Sequence, residues 1–248
     1  MNLPPVGHSF TSFDTINSTN IHAMECIREG LAVHGQVFFA REQTEGRGQR
    51  GKKWWSPPGE NIQMTLVLQP LKLAPSQHFR LSAAIATGVH DLLQKEWPTG
   101  WRIKWPNDLY WNDRKAGGIL IENVIQSGKW MWAVVGIGLN VNSRQFDPAL
   151  PNPTSLALVT GHDFEVEELA KRLCGFVDHR LRQLLAGGWH HILGDYNRVL
   201  YRAGEYQKLK RDSAVASFLI NRVDEQGMLI AGENGEYRFA HGEADWIT

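Results

Sequence analysis

Cysteine is scarce in this chain: Cys26 and Cys174 are the only two among 248 residues. They lie far apart without CxxC or mixed Cys/His spacing, so neither a disulfide framework nor a structural zinc site is indicated, and both read as buried thiols. The ten histidines contain no HExxH or other ligand spacing, and the adjacent His190 and His191 read as helix residues. An excess of either charge is missing too, since 26 Lys and Arg balance 26 Asp and Glu. No overall field can therefore hold a polyanion, and any anion site has to be local. No stretch reaches the ~18 uncharged apolar residues that span a bilayer, and the opening MNLPPVGHSF lacks the basic and apolar regions of a secretory signal. A cytoplasmic protein without membrane attachment is expected. Internal repeats, low-complexity tracts and Pro- or Ser-rich linkers are absent from the sequence, and 42% apolar with 21% charged residues is an ordinary globular composition.

The length suits one catalytic domain plus a small appendix. Asn17 to Asn20 supplies capping side chains for a helix beginning near Ser18, with Ile21, Met24, Cys26 and Ile27 as its buried stripe. GQVFFA at 35–40 and NIQMTLVLQP at 61–70 read as strands, and Phe79, Ala83, Ala86, Val89 and Leu93 mark a long helix over 76–96. A further strand, WRIKWPND, stops at Pro106, which cannot donate to a ladder, so a turn is expected at Asn107 and Asp108. LIENVIQ and WMWAVVGIGLNVN, separated by Ser127 and Gly128, suit a hairpin, which makes the sheet mixed or antiparallel. Two helices follow, one with Leu169, Leu173, Phe176, Val177, Leu181 and Leu184 on one side, and Gly187 and Gly188 separate them. From about residue 206 short strands with turns at Glu225 to Gly227 and Glu233 to Gly235 suggest a small barrel. A boundary near Glu205 divides 1–204 from 205–248, and the two parts are expected to pack together.

Three segments carry possible chemistry. Gly46-Arg47-Gly48-Gln49-Arg50-Gly51-Lys52-Lys53 sets three glycines among four cations, so the backbone can approach an anion closely. Gly46 to Lys52 also matches GxxxxGK, but Lys53 stands where a metal-binding Ser or Thr is needed, and WWSPPGEN cannot open the phosphate-holding helix. Alone, this stretch reads equally well as an exposed basic turn. Lys104-Trp105-Pro106-Asn107-Asp108 and Arg114-Lys115-Ala116-Gly117-Gly118 face each other across a short hairpin that can bring Asn107, Asp108 and Lys115 together over a bare glycine backbone. Singly these residues are a turn, a solvated lysine and a bulge. Gly136-Ile137-Gly138-Leu139-Asn140-Val141-Asn142 fails as a dinucleotide fingerprint, because Val141 occupies the third glycine position and no helix follows. A strand passing beneath a ligand is the better reading.

Jointly, Ser18-Thr19-Asn20, EQTEGRGQRGKKW, KWPNDLYWNDRKAGGILIE and GIGLNVN stand in the order and approximate spacing of the biotin-protein ligases, and the chain resembles that family from about residue 10 to 160. The resemblance implies an α+β fold: a mixed, largely antiparallel sheet flanked by helices, of the class II synthetase-like kind, with a small C-terminal SH3-like β barrel. It implies an ATP-dependent biotin-[acetyl-CoA-carboxylase] ligase that forms biotinyl-AMP and pyrophosphate, then passes biotin to a lysine of a biotin carboxyl carrier protein, with magnesium accompanying ATP. A lipoate- or octanoate-protein ligase shares the fold, but its Arg-Arg-x-x-Gly-Gly-Gly segment is not found here.

By resemblance, Ser18, Thr19, Asn20 and Gln43 line the biotin ring pocket, while Arg47, Gly48, Gln49, Lys115 and Gly118 complete the biotin site. Arg47 and Lys115 carry the catalysis at the carboxylate and α-phosphate. Trp54 packs on adenine, Asn107 and Asn140 stand near the nucleotide, and Asp108 is the candidate metal ligand. Trp55 reads as a packing residue. Gln49 departs from the family's GRGRRG by one positive charge. The 17 residues ahead of Ser18 leave no room for the helix-turn-helix of the repressor members, so a stand-alone ligase without nucleic-acid binding is expected, as monomer or homodimer.

Overall fold

Alternation and helical periodicity build two sheets and five helices among the described residues, which in this computed structural model are 3–70 and 72–247. In chain order they are β1 (Ser9–Ile16), α1 (Thr19–Arg28), β2 (Gln36–Gln43), β3 (Asn61–Leu68), α2 (His78–Glu96), β4 (Trp101–Lys104), β5 (Asp108–Trp111), β6 (Arg114–Gln126), β7 (Lys129–Asn140), α3 (Leu156–Thr160), α4 (Val166–Leu185) and α5 (Trp189–Arg198). The chain then runs through β8 (Tyr206–Arg211), β9 (Ala214–Val223), β10 (Leu229–Ala231), β11 (Tyr237–Phe239) and β12 (Asp245–Trp246).

The larger sheet has the order β1-β2-β3-β7-β6-β5-β4. β1 runs parallel to β2 and every other neighbouring pair is antiparallel, so the sheet is the mixed one expected. The Ser127-Gly128 turn closes the long β6–β7 hairpin with both residues at positive φ, 50° and 73°, the backbone that matches strand twist. β3 is buried along its whole length, yet it alternates: Ile62, Met64, Leu66 and Leu68 join α2 and α4 in the main core, while Asn61, Gln63 and Thr65 are polar and at most 1% exposed. Successive strand residues face opposite ways, so one face of the sheet is core and the other is a polar floor.

The smaller sheet, β11-β10-β9-β8-β12, is antiparallel and shares the main core through Leu209, Ile220, Val223, Leu229 and Phe239. Trp105 donates to the Gly227 carbonyl at 3.0 Å, and the Asn197 side chain makes two bonds to the Val223 backbone, at 2.9 and 2.7 Å. The two parts are thus packed together.

The turn after β4 occupies Trp105 to Asn107, and Asp108 already belongs to β5, because Asp108 pairs directly with Lys104. α1 buries Thr19, Asn20 and Ala23, whereas Ile21, Met24, Cys26 and Ile27 are half-buried. This helix lies over the polar floor, so its polar first turn goes inside. Cys26 is accordingly only partly covered, and Cys174 is the buried thiol.

Candidate active site

The floor is set by strand register. Lys104 is paired with Asp108, Asp108 with Gly118, Gly118 with Gly138, and Gly138 with Gln63. Directly paired residues point to the same face, so these five form a row across β4, β5, β6, β7 and β3, about 19 Å long at ~4.8 Å per strand. A second row runs Leu120, Gly136, Thr65. Glycine at 118, 136 and 138 leaves the floor bare where other side chains come down onto it. A Cβ on Gly136 would lie 2.6 Å from Asn20 Oδ1, and one on Gly138 would lie 2.5 Å from the Trp54 ring. Gly117 faces away, where a Cβ would meet the Gly138 carbonyl at 2.6 Å, so only one glycine of the pair serves the cavity.

Above the floor stand the first turn of α1 and the glycine loop. The loop folds back on itself: Arg47 bridges to Lys53, Gly48 donates to the Lys52 carbonyl at 2.7 Å, and Trp54 donates to the Gly46 carbonyl at 2.9 Å. This return delivers Trp54 onto Gly138. No helix follows before β3, so the nucleotide P-loop stays excluded. Trp55 is 69% exposed at the cavity mouth, so the packing role expected of it is corrected: with Trp54 turned inward, its neighbour turns out. The cavity enclosed measures about 820 Å³, and all thirteen residues singled out by the resemblance line it.

One end is a hydrogen-bonded amide cluster. Gln43 Oε1 accepts from the Thr19 backbone at 2.8 Å and lies 3.0 Å from its hydroxyl, while Gln43 Nε2 donates to Gln63 at 3.2 Å. The Thr65 hydroxyl sits 2.7 Å from Thr19 Oγ1 and 2.6 Å from Asn20 Oδ1, and Asn20 Nδ2 donates to Glu122 at 2.7 Å. Thr19, Asn20, Gln63 and Thr65 are buried, Gln43 and Glu122 half-buried, and the cluster is almost fully paired, the condition under which polar groups become rigid. Thr65→Val keeps the shape and removes the bridging hydroxyl. It should lower the unfolding free energy by ~1–3 kcal/mol in a urea titration, because buried partners lose their bond; unchanged stability would show the bridge to be idle.

The middle of the floor is cationic. Lys115 Nζ is 2.7 Å from Asp108 Oδ2, and its backbone is clamped by Asn152 and Thr154, each at 2.8 Å. Arg47 reaches Glu122 at 3.9 Å. Asn107 and Asn140 line the cavity but donate Nδ2 to the carbonyls of Ile119 and Thr154, so they brace the walls. Gln49 touches the Ile119 carbonyl at 3.5 Å. Six Lys and Arg line the cavity against three Asp, which supplies the local field that a neutral chain lacks overall.

At the far end Lys104 Nζ lies 3.1 Å from the Tyr110 hydroxyl, with the rings of Tyr110, Tyr201 and Trp246 at 4.8, 5.8 and 5.5 Å. Burial lowers the Lys104 pKa to about 8; Asp108 opposes the shift, and Lys115 and Lys52 add to it. Burial, then Asp108, raises the Tyr110 phenol far above its usual range. Asp245 of β12 pairs with Arg50 of the glycine loop at 2.8 Å.

Gln63, Thr65, Glu122, Lys104 and the β12 residues carry no assignment from the sequence reading. The first two had a signal, polar residues alternating inside an apolar strand. The β12 residues had none, because their place depends on how the second sheet docks.

The family model described as "Biotin/lipoate A/B protein ligase family" matches residues 12–140. The bifunctional ligase/repressor BirA of Escherichia coli is 35% identical over 59% of this chain, which spans 44% of that protein. The biotin--[acetyl-CoA-carboxylase] ligase of Paracoccus denitrificans is 34% identical over 86% of this chain and 90% of its own. In fold, the biotin protein ligase of Aquifex aeolicus, solved with biotin and ATP, superposes with a TM-score of 0.82 over 97% of this chain and 99% of that one, at 23% identity. With the family model covering more than half of its length, and with a near full-length relative, the chain belongs to the biotin-protein ligases of this family.

Proposed function

We propose that the protein activates biotin with ATP to biotinyl-AMP and then transfers biotin to a lysine of a carboxylase's biotin carboxyl carrier domain. The observation that carries this reading is one glycine-floored cavity with a rigid amide cluster at one end and Arg47 and Lys115 at its middle. Biotin presents a ureido ring with two donors and a carbonyl, an apolar chain, and a carboxylate. The cluster of Asn20, Gln43, Gln63 and Thr65 offers fixed donors and acceptors to the ring, the bare floor takes the chain, and the cations meet the carboxylate. Lipoate has no ureido group to exchange hydrogen bonds with these fixed donors and acceptors, so the cluster favours biotin.

In the first step a biotin carboxylate oxygen attacks the α-phosphorus of ATP, its bond to the β-phosphate oxygen breaks, and pyrophosphate leaves. Positioning and charge cancellation dominate such a reaction, and Arg47 and Lys115 supply both. In the second, the acceptor's neutral ε-amine attacks the acyl carbon, AMP departs, and the nitrogen sheds a proton. Ser18, Thr19, Gly48 and Gly118 shape the biotin pocket; Trp54, lying over Gly138, bounds the adenine, with Asn107 and Asn140 holding the walls beside the nucleotide. Magnesium would neutralise the triphosphate when bound, and Asp108 is the carboxylate that would hold it, since such ions take most ligands from phosphates and water. Residues 1–204 form the catalytic unit and 205–248 the small domain. Among the described residues no helix is long and apolar enough to cross a membrane. The reading is of a cytoplasmic enzyme acting as a monomer or homodimer.

The test is pyrophosphate release with ATP, magnesium and either biotin or lipoate, followed by transfer to a biotin acceptor domain; turnover with lipoate alone overturns the reading. The loop from Thr44 to Lys53 is expected to close over the adenylate, so tryptic cleavage at Arg47 to Lys53 should slow severalfold with biotin plus ATP. Equal cleavage would sink that closure.

A further inference from the structure

We infer that Lys104 is a further catalytic residue of the adenylation step, receiving the β- and γ-phosphates as pyrophosphate departs, and that Trp246 of the small sheet is the positioning residue that holds it. This rests on the reading that a carboxylate attacks ATP in this cavity.

The row across the floor gives a direction. The amide cluster occupies the Gln63 end, so the nucleophile approaches the α-phosphorus from there. In-line displacement sends the leaving group out on the opposite side, toward Asp108 and Lys104 at the row's other end. Lys104 is 8% exposed, and lysines are seldom buried without an ion partner. The neighbouring carboxylate, Asp108, is engaged with Lys115 instead. Among the described contacts, the Lys104 ammonium spends one donor on the Tyr110 hydroxyl and is otherwise ringed by aromatic faces. Such faces stabilise a cation but leave its remaining donors free for an anion. Lys52, Lys115 and Arg50 line the same region, so a highly charged leaving group would meet several cations there. β12 braces two of them through adjacent residues, Asp245 on Arg50 and Trp246 against Lys104. The small sheet thereby acquires a part in the chemistry.

Lys104→Met keeps the length and packing of the side chain without its charge. Adenylation kcat/KM for ATP should fall on the order of tenfold to a hundredfold, the worth of a charged hydrogen bond. Inhibition by added pyrophosphate should weaken, while biotin binding and transfer from supplied biotinyl-AMP stay within twofold of the parent. Trp246→Leu should show a smaller loss of the same kind, and Trp246→Phe, which keeps a ring, should recover most of it. Melting curves identify any variant that fails to fold, and Lys104→Gln then stands in for Lys104→Met. Parental adenylation in the Lys104 variants overturns the assignment. So does a defect confined to transfer, which would move Lys104 to the acceptor's side. A parent enzyme that makes no biotinyl-AMP from biotin and ATP instead overturns the functional reading beneath it.

Discussion

Lys115→Ala is expected to cut biotinyl-AMP formation by at least a hundredfold while the protein still folds. The side chain is about a third exposed, with its charge paired to Asp108, so little core packing is lost. The backbone at this position donates to the Asn152 carbonyl and accepts from the Thr154 N–H, and these bonds survive truncation. What disappears is the cation that the proposed mechanism sets where carboxylate and α-phosphate meet. Removing one preorganised donor from such a site commonly costs ~10²–10³ in rate. Asp108, freed of its partner, adds repulsion to an anionic substrate. Gln49→Arg is the control on the same field: it adds a charge where Gln49 makes a single long contact to the Ile119 carbonyl, and activity should stay near the parent's. The readout is radiolabelled ATP converted to biotinyl-AMP and separated by chromatography. A parental rate for Lys115→Ala would remove it from the mechanism.

Gly138→Val should raise the KM for ATP by roughly 5- to 150-fold, the ~1–3 kcal/mol that stacking a base on an aromatic ring contributes. The Trp54 ring lies so close over Gly138 that even a Cβ would stand 2.5 Å from it. The branched side chain must therefore displace the ring. Biotin affinity measured without ATP should hardly move, because the amide cluster is built from α1, β2 and β3. Valine is a good strand residue and Gly138 is only half-buried, so the melting temperature should not fall much. Loss of biotin binding in proportion to ATP binding would mean that the two ends of the floor are not separate.

Much of this was legible in the residues themselves. The long helices show their apolar stripes at the right spacing, and Ser127-Gly128 carries the chemistry of a tight hairpin. The four motif blocks converge on one cavity, as their order implied. Side-chain direction was not legible. It follows from register, and register across five strands cannot be read from any one of them. Gly117 and Gly118 look alike in sequence, yet one faces the core and the other the cavity. The apolar residues of α1 suggest a core stripe, whereas its polar first turn is the part the fold buries. Lys104 stood in plain view within KWPND, but its aromatic surroundings come from β5, from the segment after α5 and from β12. No local pattern joins those segments.

The alternation of β7 separates two kinds of redesign. Ala133, Val135, Ile137 and Leu139 belong to the core and have to stay apolar. Gly136 and Gly138 look into the cavity, ~7 Å apart along the strand, one beneath Asn20 and the other beneath Trp54. Under the proposed function, a side chain at the first would tune which acid analogues are accepted, and one at the second which nucleotide analogues are. A pair of mutually exclusive enzyme variants, each with its own modified acid and its own modified triphosphate, could thus be addressed from two positions of a single strand.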